Sequence, residues 1–258
     1  MTPARTWIIG TVLTVIVAIT NIGIANGASD GAHLTAQRWS FDGIFGRFDR
    51  TAVQRGLQVY LEVCANCHSL EYVAYRNLTE IGYNENQIKA IAGQYEVEDG
   101  PNNDGEMFTR TAQPSDYFVS PYANAMEAAA MNNGALPPDL SLIYKARAGG
   151  ADYIYGLLTG YEEEATEHSV AEGLYYNPYF PGGAIAMPKP LYGDDVEYAD
   201  GTTASMEQEA RDVATFLSWA AEPKLDARKK LGLKVLLFLI VLSALLFASK
   251  RKVWRDIH

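Results

Sequence analysis

Apolar residues recur at helical spacing in the stretch FDRTAVQRGLQVYLEV. Val53, Leu57, Tyr60 and Leu61 fall on one face of a helix in this stretch. Asp49 stands just ahead of them, where a short side chain with an oxygen acceptor caps the free amides of a helix. The pattern predicts an amphipathic helix that begins after Asp49 and leads directly to the two cysteines of the chain.

A second amphipathic helix is predicted in SMEQEARDVATFLSWAAEP. Ser205 is suited to its N-cap, acidic residues follow in its first turn, and Pro223 is expected to stop it. Its inward face is predicted to consist of Val213, Phe216, Leu217 and Ala220. Because glycine is costly inside a helix, we predict that Gly56 in the first helix admits a close neighbour, such as Phe216 or Trp219.

The region between these helices is predicted to be rich in loops. Helical stretches are indicated at 140–148 and 151–158, and a loop rich in Gly, Pro and Tyr follows them. No alternating pattern typical of a strand is visible. The predicted fold class is therefore mainly α, with long loops.

The C-terminal run LGLKVLLFLIVLSALLFASKRK is the most apolar part of the chain. Residues 231–249 carry one charge, Lys234, and would form a helix of about 28 Å, which matches the hydrocarbon core of a bilayer. A helix buried in a protein core is the alternative, but such a helix usually has a polar face, and here only Ser243 interrupts the apolar surface. We therefore predict a transmembrane helix.

The N-terminal segment fits either an export signal or a retained membrane anchor. Arg5 precedes an apolar stretch at 7–24, and the small residues Ala25-Asn26-Gly27 resemble a cleavage site. In both cases the middle of the chain is exported across the cytoplasmic membrane. The predicted domains are an N-terminal segment at 1–27, a periplasmic domain at 28–223, and an anchor with a basic cytoplasmic tail at 224–258.

Charge is distributed unevenly along the chain. Residues 28–223 contain eleven basic and 29 acidic residues, whereas residues 224–258 contain nine basic and two acidic ones. An acidic domain repels phosphate groups, so the distribution argues against a nucleic-acid partner and permits a cationic protein partner. A solvated acidic surface that only aids solubility is the alternative.

The stretch VCANCHSL holds Cys64, Cys67 and His68. A redox disulfide of this spacing should follow a strand and open a helix, but a helix precedes it here. Zinc would need a fourth ligand, and His33, His168, His258 or a carboxylate would have to supply it from outside the spacing of structural sites. C-x-x-C-H is typical of covalent attachment of one haem, with both thiols bonded to the porphyrin and the histidine bound to iron. The sequence therefore favours a c-type haem.

The sixth ligand of such an iron is predicted to be Met187. It lies in NPYFPGGAIAMPKPLY, an apolar and irregular loop just before the last helix of the globular part. Thioether ligation favours ferrous iron and suits an electron carrier. His168 is the alternative ligand, but it lies in the acidic and polar stretch YEEEATEHSVAEG. Other methionines lie among acids or in helical surroundings: Met107, Met126, Met131 and Met206.

Five collinear segments together resemble the cytochrome c1 family, the haem-bearing and membrane-anchored subunit of the cytochrome bc1 complex. They are RGLQVYLEVCANCHSLEYVAYRNL, EDGPNNDGEMF, NNGALPPDLSLIYKARAGGADYIYGLLTGY, NPYFPGGAIAMPKPLY and RKKLGLKVLLFLIVL. The resemblance extends from Phe41 to Trp254 and covers both mitochondrial and bacterial members.

The resemblance implies a c-type cytochrome fold and a set of site residues. Cys64, Cys67 and His68 would bind haem, with the methionine of the A-x-x-M loop, Met187, as the second iron ligand. A proline carbonyl in the PPDL segment, from Pro137 or Pro138, would accept a hydrogen bond from the histidine. The arginine of the K-A-R segment, Arg147, would approach a haem propionate.

The resemblance also implies partners and a role. The haem would accept an electron from the Rieske iron-sulfur subunit and pass it to a soluble or membrane-bound cytochrome c, within a dimeric complex that includes cytochrome b. Acidic clusters at 162–167, 96–99 and 194–197 would attract a basic carrier. A haem-based sensor, or another membrane-anchored electron-transfer cytochrome, is the alternative.

Overall fold

The computed structural model describes residues 32–162 and 170–255. Several features singled out in the sequence lie outside the described residues: the N-terminal segment 1–27, part of the acidic cluster at 162–167, His168 and His258. Seven α-helices, two 3-10 helices and four short strands are present within the described ranges. The prediction of a mainly helical chain with long loops is confirmed.

Helix α1 (Arg50–Glu62) begins after Asp49, whose carboxylate accepts hydrogen bonds from the backbone amides of Thr51 and Ala52. The predicted N-cap is confirmed, because this carboxylate satisfies amides that have no partner inside the helix. Most of the predicted face is buried. Val53, Leu57 and Tyr60 are at most 1% exposed, Leu61 is half-buried, and Val59, which the spacing argument omits, is buried as well.

Helix α6 (Met206–Ala221) is capped by Ser205, whose hydroxyl accepts a hydrogen bond from the amide of Gln208. The helix ends at Ala221, two residues before Pro223, so both predicted ends are confirmed. Its inward face includes the predicted residues Val213, Phe216 and Leu217, which are buried, whereas Ala220 is half-buried.

The backbones of α1 and α6 approach closely at Gly56. A Cβ atom added there would lie 2.0 Å from the carbonyl oxygen of Asp212 and 2.7 Å from Cβ of Phe216. The predicted packing role of Gly56 is therefore confirmed, and the nearest obstacle is the backbone of α6 as much as an aromatic side chain. Beside this contact, Arg55 donates to both carboxylate oxygens of Asp212, at 2.7 and 3.0 Å. The charge pair offsets the cost of burying Asp212, which is fully enclosed.

Four shorter helices complete the globular part: α2 (Glu85–Ala92), α3 (Ala125–Met131), α4 (Ile143–Ala146) and α5 (Ala151–Thr159). The 3-10 helices span Cys64–Asn66 and Tyr75–Ile81. The predicted helix at 151–158 is confirmed as α5. The one predicted at 140–148 is much shorter than expected: it ends at Ala146, because Arg147 takes an extended backbone conformation with φ of −123° and ψ of 133°.

Two small antiparallel hairpins are present although the sequence shows no strand pattern. Strand β1 (Glu96–Asp99) pairs with β2 (Phe108–Thr111), and β3 (Tyr175–Tyr176) pairs with β4 (Ala184–Ile185). Strands of two to four residues are too short for alternation to become visible. Turn chemistry holds the first hairpin instead, since the side chain of Asn102 accepts hydrogen bonds from the amides of Asp104 and Glu106.

Helix α7 (Leu225–Val253) extends the predicted apolar segment at both ends. Its most apolar 18-residue window has a mean hydropathy of 2.6, and none of that window is buried against the rest of the described chain. This exposure contradicts the alternative of a core helix. The predicted C-terminal apolar helix is therefore confirmed, with the length and composition of a membrane span.

Candidate haem site

The three residues of the C-x-x-C-H motif lie in one tight turn at the end of α1. The amides of Cys67 and His68 both donate to the carbonyl oxygen of Cys64, at 3.1 and 2.9 Å. Cys64 packs against the hydrophobic core, and both thiols are free. Tyr60, one turn earlier on α1, donates its hydroxyl to the carbonyl of His68 at 3.0 Å. These bonds fix the backbone from which the three side chains project.

The imidazole of His68 is oriented by a backbone carbonyl. Its Nδ1 lies 2.8 Å from the carbonyl oxygen of Pro138. A carbonyl can only accept, so this contact assigns the proton to Nδ1 and leaves the lone pair of Nε2 free to bind a metal. Burial lowers the pKa of His68, while the Pro138 hydrogen bond and the nearby Asp139 oppose the decrease. The burial effect favours the neutral ring that metal ligation requires.

Asp139 holds the Pro138 carbonyl in place. One of its carboxylate oxygens accepts from the hydroxyl of Ser69 at 2.9 Å and from the amide of Glu71 at 2.8 Å. The other accepts from the amide of Ser141 at 2.9 Å. This side chain therefore ties the PPDL segment to the residues that directly follow His68. No role is predicted for Asp139 from the sequence, although its place after two prolines is a usable signal.

Met187 lies in the loop that follows β4. It is half-buried and packs against the same hydrophobic core as Cys64. The hydroxyl of Tyr161 donates to the carbonyl oxygen of Met187 at 2.9 Å, so the segment just after α5 restrains this loop. Three of the remaining methionines are largely exposed, at 55% for Met107, 85% for Met126 and 71% for Met131. Tyr161 is a second residue that the sequence analysis did not find.

Arg147 follows α4 and is exposed. Among residues 32–162 and 170–255 it forms no ion pair, and its guanidinium donates to the neighbouring carbonyl of Ala146 at 3.1 Å. It also lies beside Tyr153. Burial raises the pKa of Tyr153, and the charge of Arg147 partly opposes this increase. The guanidinium thus retains donors for an anionic group.

The donor set fits a covalently bound haem better than the other two chemistries. Burial raises the pKa of Cys64 to about 12, whereas redox-active cysteines have a lowered thiol pKa. In the described part of the chain no three residues among His, Cys, Asp and Glu come together as a metal cluster, which disfavours zinc. Two neighbouring free thiols, followed by an imidazole with a free Nε2, are what haem attachment requires.

A sequence model of the Cytochrome C1 family matches residues 39–257. The chain belongs to the cytochrome c1 family. Membership implies a haem cofactor and a role in electron transport, and it agrees with the donor set at Cys64, Cys67 and His68. The resemblance found from the five sequence segments is confirmed.

Individual members of the cytochrome c1 family are similar over most of the chain. Cytochrome c1 of Rhodospirillum rubrum is 50% identical over 251 residues, which is 91% of this chain and 92% of that protein. The mitochondrial cytochrome b-c1 complex catalytic subunit of Candida albicans is 50% identical over 231 residues, 89% of this chain and 80% of that one. Cytochrome b/c1 of Bradyrhizobium diazoefficiens is 48% identical over 256 residues, 91% of this chain and 37% of that longer protein.

Proposed function

We propose that the chain carries one covalently attached haem c and transfers single electrons as the cytochrome c1 subunit of a quinol-cytochrome c oxidoreductase. The observation that carries this proposal is the pairing of two free thiols with an imidazole whose Nδ1 is held 2.8 Å from the carbonyl of Pro138. When bound, the haem supplies an iron that alternates between the ferrous and ferric states. The protein itself breaks no substrate bond.

The residues of the chain set the properties of that iron. Cys64 and Cys67 would form the thioether links to the haem, and Nε2 of His68 would bind its iron. The hydrogen bond to Pro138 fixes the ring and increases the basicity of His68. The sulfur of Met187 would be the second iron ligand and would favour the ferrous state, as an electron carrier of high potential requires.

Arg147 is proposed to bind a haem propionate. Its guanidinium lacks an ion-pair partner in the described ranges and stands next to the hydroxyl of Tyr153. A charge-assisted hydrogen bond from arginine offsets the cost of partly burying a carboxylate. The same bond would hold one edge of the haem against the segment that follows α4.

The electron donor is proposed to be a Rieske iron-sulfur subunit and the acceptor a soluble or membrane-bound cytochrome c. The names of two relatives support a complex with cytochrome b, since one is a cytochrome b-c1 complex catalytic subunit and another is a cytochrome b/c1. The assembled complex is proposed to be a dimer. Helix α7 would anchor the chain in the cytoplasmic membrane, with the haem domain in the periplasm and the basic tail in the cytoplasm.

Acidic residues are proposed to attract a basic carrier. In the cluster at 96–99, Glu96 and Glu98 are exposed, whereas Asp99 pairs with Arg110. In the cluster at 194–197, Asp194 and Glu197 are exposed. Charges of one sign on the approach surface accelerate encounter more than they strengthen the final complex.

Two measurements on the purified full chain test the proposal. Mass spectrometry should show the mass of one haem added to the peptide that contains Cys64 and Cys67, and it also reveals whether residues 1–27 are retained. Rapid-mixing spectroscopy should then show the reduced protein passing one electron to oxidised cytochrome c. A purified chain whose Cys64 and Cys67 peptide lacks the added mass of haem would contradict haem attachment. A reduced protein that binds carbon monoxide readily would instead indicate a sensor with an open iron position.

A further inference from the structure

Two large apolar side chains stand side by side at the tip of a turn ahead of α1. Ile44 is 75% exposed and Phe45 is 72% exposed. Single exposed apolar residues are common on protein surfaces, but an exposed adjacent pair of this size indicates an apolar contact outside the domain. We call residues 42–46 the apolar turn.

The apolar turn is held rigidly with its tip outward. Gly43 has φ of 66°, and a Cβ atom at Gly46 would lie 1.9 Å from the carbonyl oxygen of Asp42. Either position would strain or clash with a larger residue. The amide of Arg47 donates to the carbonyl of Ser40 at 2.9 Å and closes the base of the turn. The tip is therefore presented by its backbone and does not depend on side-chain contacts.

An apolar core lies directly below the tip, yet the tip residues do not join it. Phe41 is 3% exposed and packs against Phe48, with ring centroids 4.9 Å apart. The ring of Trp39 stacks on Phe41 at 5.7 Å. These aromatic rings pack on one another, whereas Ile44 and Phe45 stand outside the cluster and remain exposed.

The apolar turn is bonded to the start of α7. The ammonium group of Lys229 donates to the carbonyl oxygens of Phe41 at 2.5 Å and Gly46 at 3.4 Å. The amide of Phe48 donates to the carboxylate of Asp226 at 3.3 Å. The apolar run of α7 begins at Leu231, only about 3 Å further along the helix than Lys229. The base of the apolar turn thus lies beside the part of α7 that leaves the domain.

We propose that Ile44 and Phe45 insert into the headgroup region of the same bilayer that α7 crosses, and that the apolar turn is a second membrane contact of the domain. The proposal rests on the proposed membrane crossing by α7. Aromatic and aliphatic side chains on a rigid turn suit the boundary between headgroups and acyl chains. Two nearby cations in the sequence, Arg47 after the turn and Lys230 on α7, suit lipid phosphate groups.

This contact would restrict how the haem domain tilts on its anchor. A single helix leaves a domain free to rotate about the point where it enters the membrane. A second contact beside that point removes part of this freedom. The haem site, which α1 joins to the apolar turn, would then be held at a defined height above the bilayer.

Photocrosslinking tests the occupant of the apolar turn directly. Phe45 is replaced by p-benzoylphenylalanine in the full chain, which is placed in vesicles of phosphatidylethanolamine and phosphatidylglycerol and irradiated. The same replacement at Leu239 in α7 is the positive control. Tyr192 is the matched negative control, because it is 71% exposed but lies far from α7. Its neighbour Gly193 packs against the N-terminal end of α6, whereas α7 follows the C-terminal end of α6.

Mass spectrometry of the crosslinked peptides distinguishes the outcomes. We expect phospholipid adducts at positions 45 and 239, with a yield at position 45 roughly tenfold above that at position 192, since only the first two contact lipid. A lipid adduct at position 239 without one at position 45 would overturn the proposal and leave the anchoring by α7 intact. The absence of lipid adducts at both positions would contradict the lipid contact of the apolar turn and also the membrane crossing by α7.

The same variants are also irradiated in membranes that contain the complete complex. A phospholipid adduct at position 45 is again expected there. An adduct between position 45 and another polypeptide, or residues 7–24 of this chain, would assign the apolar turn to a protein contact and overturn the lipid proposal. Haem attachment is read from the mass of the Cys64 peptide, so it is judged independently of these results.

Discussion

The carbonyl oxygen of Pro138 lies 2.8 Å from Nδ1 of His68, although 70 residues separate the two. The contact determines which ring nitrogen of His68 is free for iron. It depends on Asp139, whose carboxylate bonds the PPDL segment to the residues just after His68. The candidate site is therefore assembled from two distant segments by hydrogen bonds to backbone atoms.

Replacement of Asp139 by Ala is expected to weaken the His68–Pro138 hydrogen bond. The variant loses three acceptor contacts and should be destabilised by about 1–3 kcal/mol. A less basic His68 stabilises ferric iron less, so the reduction potential should rise. Urea denaturation and redox titration measure the two effects. Ser69→Ala is the matched control and should show a smaller change of both quantities, because it removes only one of the three contacts.

Replacement of Met187 by Ala is expected to remove the second iron ligand. The reduction potential should fall by on the order of 0.1 V or more, within the range that axial ligands span. The reduced variant should also bind carbon monoxide. Met107→Ala serves as the control, since Met107 is exposed and lies on the first hairpin loop. An unchanged potential and spectrum in Met187→Ala would show that another residue is the ligand.

Replacement of Tyr161 by Phe removes the hydroxyl that donates to the carbonyl of Met187. The ring remains to fill its place, so we expect a loss of about 1 kcal/mol and an intact fold. The loop should then hold the sulfur less firmly, which would weaken the sulfur-to-iron charge-transfer band in the optical spectrum. Tyr155→Phe on α5, six residues earlier, is the comparison, and an equal effect there would argue against a specific role for Tyr161.

Stability is expected to depend on pH through Glu209. This side chain is fully buried, and one of its carboxylate oxygens has no partner among the described residues. Burial, together with Asp195, raises its pKa from 4.5 to about 7. Between these two pKa values, the folded state therefore keeps a proton on Glu209 that the unfolded state has released. The stabilisation is fully present below the unfolded pKa and is lost as the pH rises through about 7.

Glu209→Gln keeps an uncharged acceptor for the amides of Asp195 and Val196. As the pH rises from about 5 to about 8, the free energy of unfolding should decrease less for this variant than for the wild type. The difference between the two decreases should be on the order of 2 kcal/mol. Urea denaturation across this range measures the difference. Glu207→Gln provides the control, because Glu207 is exposed on the same helix. Parallel curves for wild type and Glu209→Gln would mean that Glu209 does not titrate in this window.

Electron transfer to a basic cytochrome c is expected to slow as salt increases. Attraction between unlike charges accelerates encounter, and screening should reduce the rate roughly tenfold or more between low and physiological ionic strength. Stopped-flow kinetics measures this dependence. Glu96→Gln and Glu98→Gln on β1, compared with Asp194→Asn and Glu197→Gln, would show which cluster faces the carrier. A rate independent of salt would contradict the steering role of both clusters.

The sequence by itself determined the features that depend on neighbouring residues. Cys64, Cys67 and His68 form a contiguous motif, and periodicity with capping residues located α1, α5 and α6 to within a residue or two. A long apolar run with a single charge located α7. Met187 could be selected by the composition of its loop, because glycine, proline and apolar residues surround it.

Only the tertiary structure decided the features that depend on residues far apart in the chain. It selected Pro138 over Pro137 as the acceptor for His68, and it introduced Asp139 and Tyr161 as supports of the site. No local pattern encodes such contacts, because each needs a backbone atom from another segment at a specific position. The chemistry of the site can thus be found in a few adjacent residues, whereas its orientation depends on how the chain folds back on itself.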